Sequence, residues 1–247
     1  MTRMKFMNTE IDNLTMEEAL QRIDELVQED KAAYVVTPNV DHLVQLEKGG
    51  QLNEVYRDAD LILTDGKPMI WISHLYGNPI KEKVSGSDLF PRLCSLAATK
   101  GYRMYFLGAA PGVAAKAAEN LTKKNPGLQV VGTYSPPLGF EKDADELKKI
   151  IRQIKEAKPH ILIVALGCPK QELFIHKFKD MMNVPVSLGL GASIDFEAGN
   201  VKRAPKWMAD HGLEWVYRCF QDPKRMPKRY FNDRKIFAMT LKYWKKS

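Results

Sequence analysis

Ile161-Leu162-Ile163-Val164-Ala165-Leu166-Gly167-Cys168-Pro169-Lys170-Gln171-Glu172 is the stretch whose reading decides the fold. Six apolar residues in a row leave no polar face, the pattern of a strand covered on both sides inside a parallel sheet. Gly167-Cys168-Pro169 breaks the run, and a helix through Phe174 and Phe178 follows. The same strand, polar turn and helix recur upstream. Tyr34-Val35-Val36-Thr37 is closed by Pro38, and Asn39 is placed to cap a helix carrying Leu43, Val44 and Leu46. Leu61-Ile62-Leu63-Thr64 leads through Asp65-Gly66 to Met69–Leu75, and Met104-Tyr105-Phe106-Leu107 leads through Gly108 to Val113–Leu121. Before the first unit, Thr15-Met16-Glu17-Glu18 forms a capping box that predicts a helix over about 16–29.

Apolar strands alternating with amphipathic helices predict an α/β, Rossmann-like fold: a mostly parallel sheet with helices on both faces. Ligands of such sheets bind beyond the carboxyl ends of the strands. The loops that matter are therefore Thr37–Asn39, Asp65-Gly66, Gly108–Gly112, Gly167–Gln171 and Gly189–Asp195.

With 247 residues, 45% hydrophobic and 27% charged, the chain buries a core without disulfides or metal, which excludes collagen, disordered and disulfide-miniprotein classes. Cys94, Cys168 and Cys219 are odd in number and widely spaced, as in a reducing compartment. Met1–Leu14 lacks the apolar centre of a secretory signal, and no apolar run approaches the ~20 residues of a membrane span. The net charge of +7 is unevenly placed: residues 1–202 carry 25 Lys and Arg against 26 Asp and Glu, and residues 203–247 carry 12 against 4. From about Pro205 Lys and Arg alternate with Trp207, Trp215, Tyr217, Phe220, Tyr230, Phe231, Phe237, Tyr243 and Trp244. The chain is thus divided into an α/β catalytic domain, 1–204, and a basic, aromatic, helical C-terminal appendage, 205–247. Cations beside aromatic rings suit an anionic membrane interface. The charge alone would also suit RNA, though no recognition motif supports that partner.

Asp65 stands at a strand end before a glycine that permits a sharp turn, where its carboxylate either caps the next helix or serves as a general base. Thr37 and Asn39 offer a hydroxyl and an amide from the neighbouring loop, with turn and cap as the alternative duty. Gly108–Gly112 can cradle a phosphate at a helix N-terminus. Ser85-Gly86-Ser87 either meets an anion or simply starts the helix of Leu89 and Leu93. No Walker motif, dinucleotide fingerprint or serine-hydrolase elbow is present. Asp58-Ala59-Asp60 and Asp143-Ala144-Asp145 have metal-binding spacing, but one precedes its strand and the other opens a helix, so both read as structural. The five histidines never pair at ligand spacing, and no metal is expected.

Seven segments in order resemble the WecG/TagA/CpsF glycosyltransferases, family 26, over about Ile11–Tyr230: Thr37-Pro38-Asn39, Thr64-Asp65-Gly66, Val84–Asp88, Leu107–Gly112, Ala165–Glu172, Val201–Pro205 and Gly212–Trp215. The resemblance implies an inverting, metal-independent, UDP-sugar-dependent transfer, with no cofactor, onto a polyprenyl-diphosphate-linked sugar at the cytoplasmic face of the membrane. In TagA-like members the sugar is N-acetylmannosamine and the acceptor N-acetylglucosamine, in teichoic acid synthesis; other members imply another hexose or a uronic acid. Nucleic acid is not an implied partner, and oligomeric state stays open. By position, Asp65 would be the base, and Thr37, Asn39 and Gln171, with Gly66, Lys83, Gly86, Ser87, Gly108 and Glu172 around them, would line the substrate site. Asp195 would contact the nucleotide. Arg218 and Arg225, with Lys228 or Arg229, would close over the diphosphate. The sequence departs from the resemblance at Lys83, Thr64 and Cys168, where relatives often have Arg, Pro and Ala. Pro227 predicts a break before the last helix.

Overall fold

The structure is a computed structural model that describes residues 3–205, 207–208, 211–224 and 226–245. A hairpin of β1 (Arg3–Phe6) and β2 (Thr9–Asp12) precedes α1 (Met16–Glu29), which starts at the expected capping box: Glu18 N–H donates to Thr15 and Thr15 N–H to Glu18. The central sheet then begins with β3 (Ala33–Val36), α2 (Val40–Leu46), α3 (Gln51–Arg57) and β4 (Leu61–Ile62). A long crossover through α4 (Lys67–Leu75) and α5 (Gly86–Lys100) leads to β5 (Arg103–Gly108), α6 (Val113–Lys124) and β6 (Gln129–Tyr134). The chain returns through α7 (Ala144–Ala157), β7 (Ile161–Ala165), α8 (Lys170–Met182), β8 (Val186–Gly189) and α9 (Ser193–Ala198). Helices α10 (Glu214–Gln221), α11 (Met226–Asp233) and α12 (Lys235–Trp244) follow among the described residues.

The six sheet strands run parallel in the order β4-β3-β8-β7-β5-β6, and the antiparallel hairpin is a separate two-stranded sheet. The unbroken apolar strands have the reason the sequence suggested: each face of the sheet has its own core. Val35, Phe106, Ile163 and Leu188 pack with α1, α5, α6 and α9 on one face. Tyr34, Val36, Leu107 and Val164 pack with α3, α7 and α8 on the other. A third core joins the hairpin (Phe6, Ile11), α2 (Leu43, Val44) and Met69 of α4 to Ile236 and Met239 of α12.

The helix after β5 leads outward to β6, whereas the helix after β7 leads the other way to β8. The order therefore reverses between β5 and β7, and a crevice opens there beyond the strand ends. Gly108 lets the two strand ends close up, since a Cβ on it would lie 2.3 Å from the Ala165 carbonyl oxygen.

Candidate active site

Three cavities with shared walls line the carboxyl edge of the sheet. The largest, about 780 Å³, fills the crevice at the reversal and is lined by Ala109, Gly167, Asp195, Phe196 and Arg218 among others. The next, about 290 Å³, lies under Thr37, Asn39, Asp65, Ser87, Gln171, Arg218 and Arg229. The third, about 140 Å³, runs from Asp65 and Lys83 to Glu214, Arg218 and Asp233. Arg218 borders all three, and Asp65 borders the two smaller ones.

Asp65 sits where the β4 segment turns into α4. Its N–H donates to Pro38 O at 2.9 Å, and Thr64 O accepts from Val84 N at 2.8 Å, so both flanks of the turn are tied down. The N-cap position of α4 is Gly66 with φ 112°, and no side chain caps the helix. The capping alternative for Asp65 therefore fails, and its carboxylate is left partly exposed to the cavities. Burial, reinforced by Glu214, pushes its pKa up to about 6, with Arg218, Lys83 and His42 pulling the other way. A carboxylate so poised accepts a proton near neutral pH.

Asn39 does two things at once. Its Oδ1 caps α2 by accepting from Asp41 N and His42 N, and it also faces the 290 Å³ cavity. Thr37 is buried and donates to Gly189 O at 3.4 Å, which ties the end of β3 to that of β8. The Gln171 carboxamide is fixed at both ends: its oxygen accepts from Gly191 N at 3.1 Å and its amide donates to Glu172 Oε1 at 2.8 Å. Glu172 is fully buried and borders none of the three cavities, so it reaches the site through Gln171 and His42 and not by touching a ligand.

Ser85-Gly86-Ser87 starts α5, with Ser85 as N-cap residue. Gly86 is buried, where a Cβ would lie 3.2 Å from Ser193 Oγ, and Ser87 borders the cleft. Lys83 pairs with Asp88 at 2.9 Å; against the cost of burial, that bond holds its ammonium above the usual range. The other oxygen of Asp88 accepts from Arg203 at 2.8 Å, and Arg203 also donates to Ser87 O, so the segment leaving α9 is latched to α5.

The C-terminal helices lie over this edge. Gly212, with φ 70°, passes so near Trp71 of α4 that a Cβ would come within 2.5 Å of the ring. Arg218 pairs with Glu214 at 2.8 Å and stacks on Phe196 of α9 at 5.2 Å, while its Nε is buried without a hydrogen-bond partner. Arg229 lies 3.5 Å from Asp41 and donates to Asn39 Oδ1 at 3.4 Å. Lys228 is exposed on α11 and borders none of the three cavities. Arg225 falls outside the described residues.

The aspartate pairs are structural, as expected. Asp60 accepts from Tyr34 N, Asp58 pairs with His176, and Asp143 caps α7. Three groups at the site were not foreseen as such. Asp233 of α11 borders the smallest cavity, where burial and Asp41 push its pKa up to about 6. Phe196 carries Arg218. His42, Cys168 and Glu172 form, among the described residues, one group whose ligand-type atoms lie within 4.8 Å of one another. Histidine spacing could not reveal it, because its members come from α2, the β7–α8 loop and α8.

A doubly wound parallel sheet with Asp65, Lys83, Arg218 and Arg229 gathered at its carboxyl edge defines an α/β protein with a charged cleft where such sheets bind their ligands. The chain belongs to the glycosyl transferase WecG/TagA/CpsF family, whose model matches residues 4–247. It is 36% identical over 215 residues to a Bacillus spizizenii N-acetylglucosaminyldiphosphoundecaprenol N-acetyl-beta-D-mannosaminyltransferase, covering 87% of this chain and 81% of the relative. Proteins of the same name from Bacillus subtilis and Staphylococcus aureus are 35% and 26% identical; these matches cover 76% and 91% of this chain, and 71% and 87% of the relatives.

Proposed function

We propose that this glycosyltransferase moves N-acetylmannosamine from a UDP-linked donor to N-acetylglucosaminyl-diphosphoundecaprenol, as its relatives' names describe for them. The observation that carries the reading is the match to those relatives over most of both chains, joined to the Asp65 carboxylate at a strand end facing Lys83, Arg218 and Arg229.

In this reading the acceptor hydroxyl lies beside Asp65, which takes its proton as the oxygen attacks the sugar's anomeric carbon. The bond from that carbon to the β-phosphate oxygen breaks in the same displacement, inverting the centre and releasing UDP. Thr37, Asn39 and Gln171 hold the sugars, and the crevice lined by Ala109 and Asp195, just beyond Gly108, takes the nucleotide. Arg218, with Lys83, Arg229 and Arg225, meets the negative charge that grows on the leaving diphosphate. No metal is needed for that step. This fits one base rather than the carboxylate pair of a double displacement.

The division into a body over 1–204 and a tail over 205–247 is part of the same reading. No helix among the described residues is long and apolar enough to cross a membrane. Phe220, Phe231, Phe237, Leu241 and Trp244 of the tail are nonetheless exposed beside Lys and Arg. They would rest in the headgroup region of an anionic inner membrane face and bring the cleft to a lipid-linked acceptor.

The test offers purified chain a panel of UDP-sugars with one lipid-linked N-acetylglucosamine acceptor and reads products by mass. The expected product is a disaccharide from UDP-N-acetylmannosamine. Faster turnover of a different hexose or a uronic acid donor would reassign the sugar.

A further inference from the structure

We infer that His42, Cys168 and Glu172 form a binding site for one thiophilic divalent cation of the Zn²⁺ class, on the floor of the 290 Å³ cavity.

The argument starts from the imidazole. Asn39 Oδ1 already accepts two backbone N–H groups at the start of α2, so it is held as an acceptor, and it lies 2.9 Å from His42 Nδ1. Nδ1 also accepts from the Asn39 backbone N–H at 3.4 Å, so either ring nitrogen can carry the hydrogen; with it on Nδ1, the lone pair falls on Nε2. Nε2 in turn lies 3.2 Å from Glu172 Oε1, a second acceptor. In the metal-free protein a proton on Nε2 bridges this pair, and a divalent cation would take that proton's place beside the carboxylate. An imidazole that donates through one nitrogen to a neighbouring oxygen and offers the other is the usual arrangement of a metal-binding histidine.

Glu172 supplies the second ligand. It is fully buried, and its Oε2 has no hydrogen-bond partner, an unmatched carboxylate oxygen whose burial is costly unless a cation meets it. Cys168 supplies the third. Gln45 Nε2 lies 3.6 Å from its sulfur and donates toward it. All three ligand atoms lie within 4.8 Å of one another. Donors around tetrahedral zinc sit about 3.3–3.7 Å apart, so small side-chain rotations close the site. His42 and Cys168 border the cavity while Glu172 lies behind it, which leaves a fourth position open on the cavity side.

The donor set fixes the class of ion. A thiolate with an imidazole and one carboxylate selects Zn²⁺, Co²⁺ or Cd²⁺, whereas Mg²⁺ and Ca²⁺ need sites rich in oxygen. The site shares its cavity with Asp65, Asn39 and Gln171 but takes none of them as a ligand. It does not depend on the identity of the sugar or even on glycosyl transfer.

Co²⁺ titration of the metal-free full-length chain tests the inference, read by absorbance, with Zn²⁺ then added as competitor. One equivalent of Co²⁺ is expected to give a thiolate-to-cobalt charge-transfer band with tetrahedral ligand-field bands. Zn²⁺ should erase both, and excess Mg²⁺ should leave them unchanged. Cys168→Ala should abolish the charge-transfer band, and His42→Gln should weaken Zn²⁺ binding by about 100-fold or more. Cys94→Ala and Cys219→Ala should behave as the parent, with circular dichroism confirming folding in every variant. Absence of the band in the folded parent, its persistence in Cys168→Ala, or equal competition by Mg²⁺ would overturn the assignment.

Discussion

The body and the tail of this protein are held together by different forces. Residues 1–202 are nearly neutral, and their strands and helices bury two continuous apolar cores against the sheet. The tail is strongly basic, and its contribution to the interior is small: α10 buries no residue, α11 buries Met226 and Asp233, and α12 buries Ile236 and Met239. Polar contacts do much of its docking. Tyr243 donates to Glu47 at 2.8 Å, Tyr76 donates to Thr240 O at 3.0 Å, Lys242 pairs with Glu47, and Arg229 approaches Asp41. Arg218 and Arg229 border the cleft while many of the tail's aromatics face solvent. The contrast assigns the work: the body places Asp65 on a rigid strand end, and the tail sets the charge around it.

Substitutions that separate the two contributions should differ in size. Asp65→Asn keeps the volume and removes the proton acceptor, so transfer should fall by about 10²–10⁴-fold with the thermal transition unmoved. Single-turnover assays with the lipid-linked acceptor would read this; full activity would end the assignment of the base. Arg218→Ala removes the tail cation stacked on Phe196, and kcat should fall by about 10²–10³-fold if its guanidinium meets the leaving diphosphate. A loss confined to KM would instead mean that Arg218 only binds.

The outward face should matter less for chemistry and more for location. Phe231→Ser with Phe237→Ser should weaken flotation with anionic vesicles, and raising salt should weaken the parent's binding as well. Turnover on a short-chain soluble acceptor should change little. Unchanged flotation would detach the tail from the membrane.

The parts of this design that could be read from the sequence were those with local signals. The apolar runs, the Thr15–Glu18 capping box and the Gly66 and Gly108 turns are written in neighbouring residues, and each is found where it was expected. The edge strand β6 escaped notice because Gln129–Tyr134 is interrupted by Gly132 and only half-buried, with no apolar run to announce it. The hairpin escaped for a similar reason: β1 and β2 are four residues each and mix charge with apolar side chains. The site divides along the same line. Asp65, Thr37 and Asn39 sit at strand ends, where the sheet rule points. Glu172 follows Gln171 in the chain but points into the interior, since adjacent helix positions do not share a face. His42 meets Glu172 across 130 positions, and Arg218 meets Phe196 across α9 and α10; only folding brings such pairs together.

The central claim is that the tail adjusts the proton affinity of a proposed base whose pKa is raised first by burial in the body. With Asp65 as the proposed base its deprotonated form would be the active one, so kcat/KM should be level above its pKa and fall about tenfold per unit below it. The direct measurement is the pH profile of kcat/KM for the parent and for Glu214→Gln. The parent should show an acidic limb near pH 6, and the variant's limb should move to lower pH, because Glu214 is one of the groups that raise the Asp65 pKa. A parent profile flat down to pH 5, or a limb that Glu214→Gln leaves in place, would contradict the account.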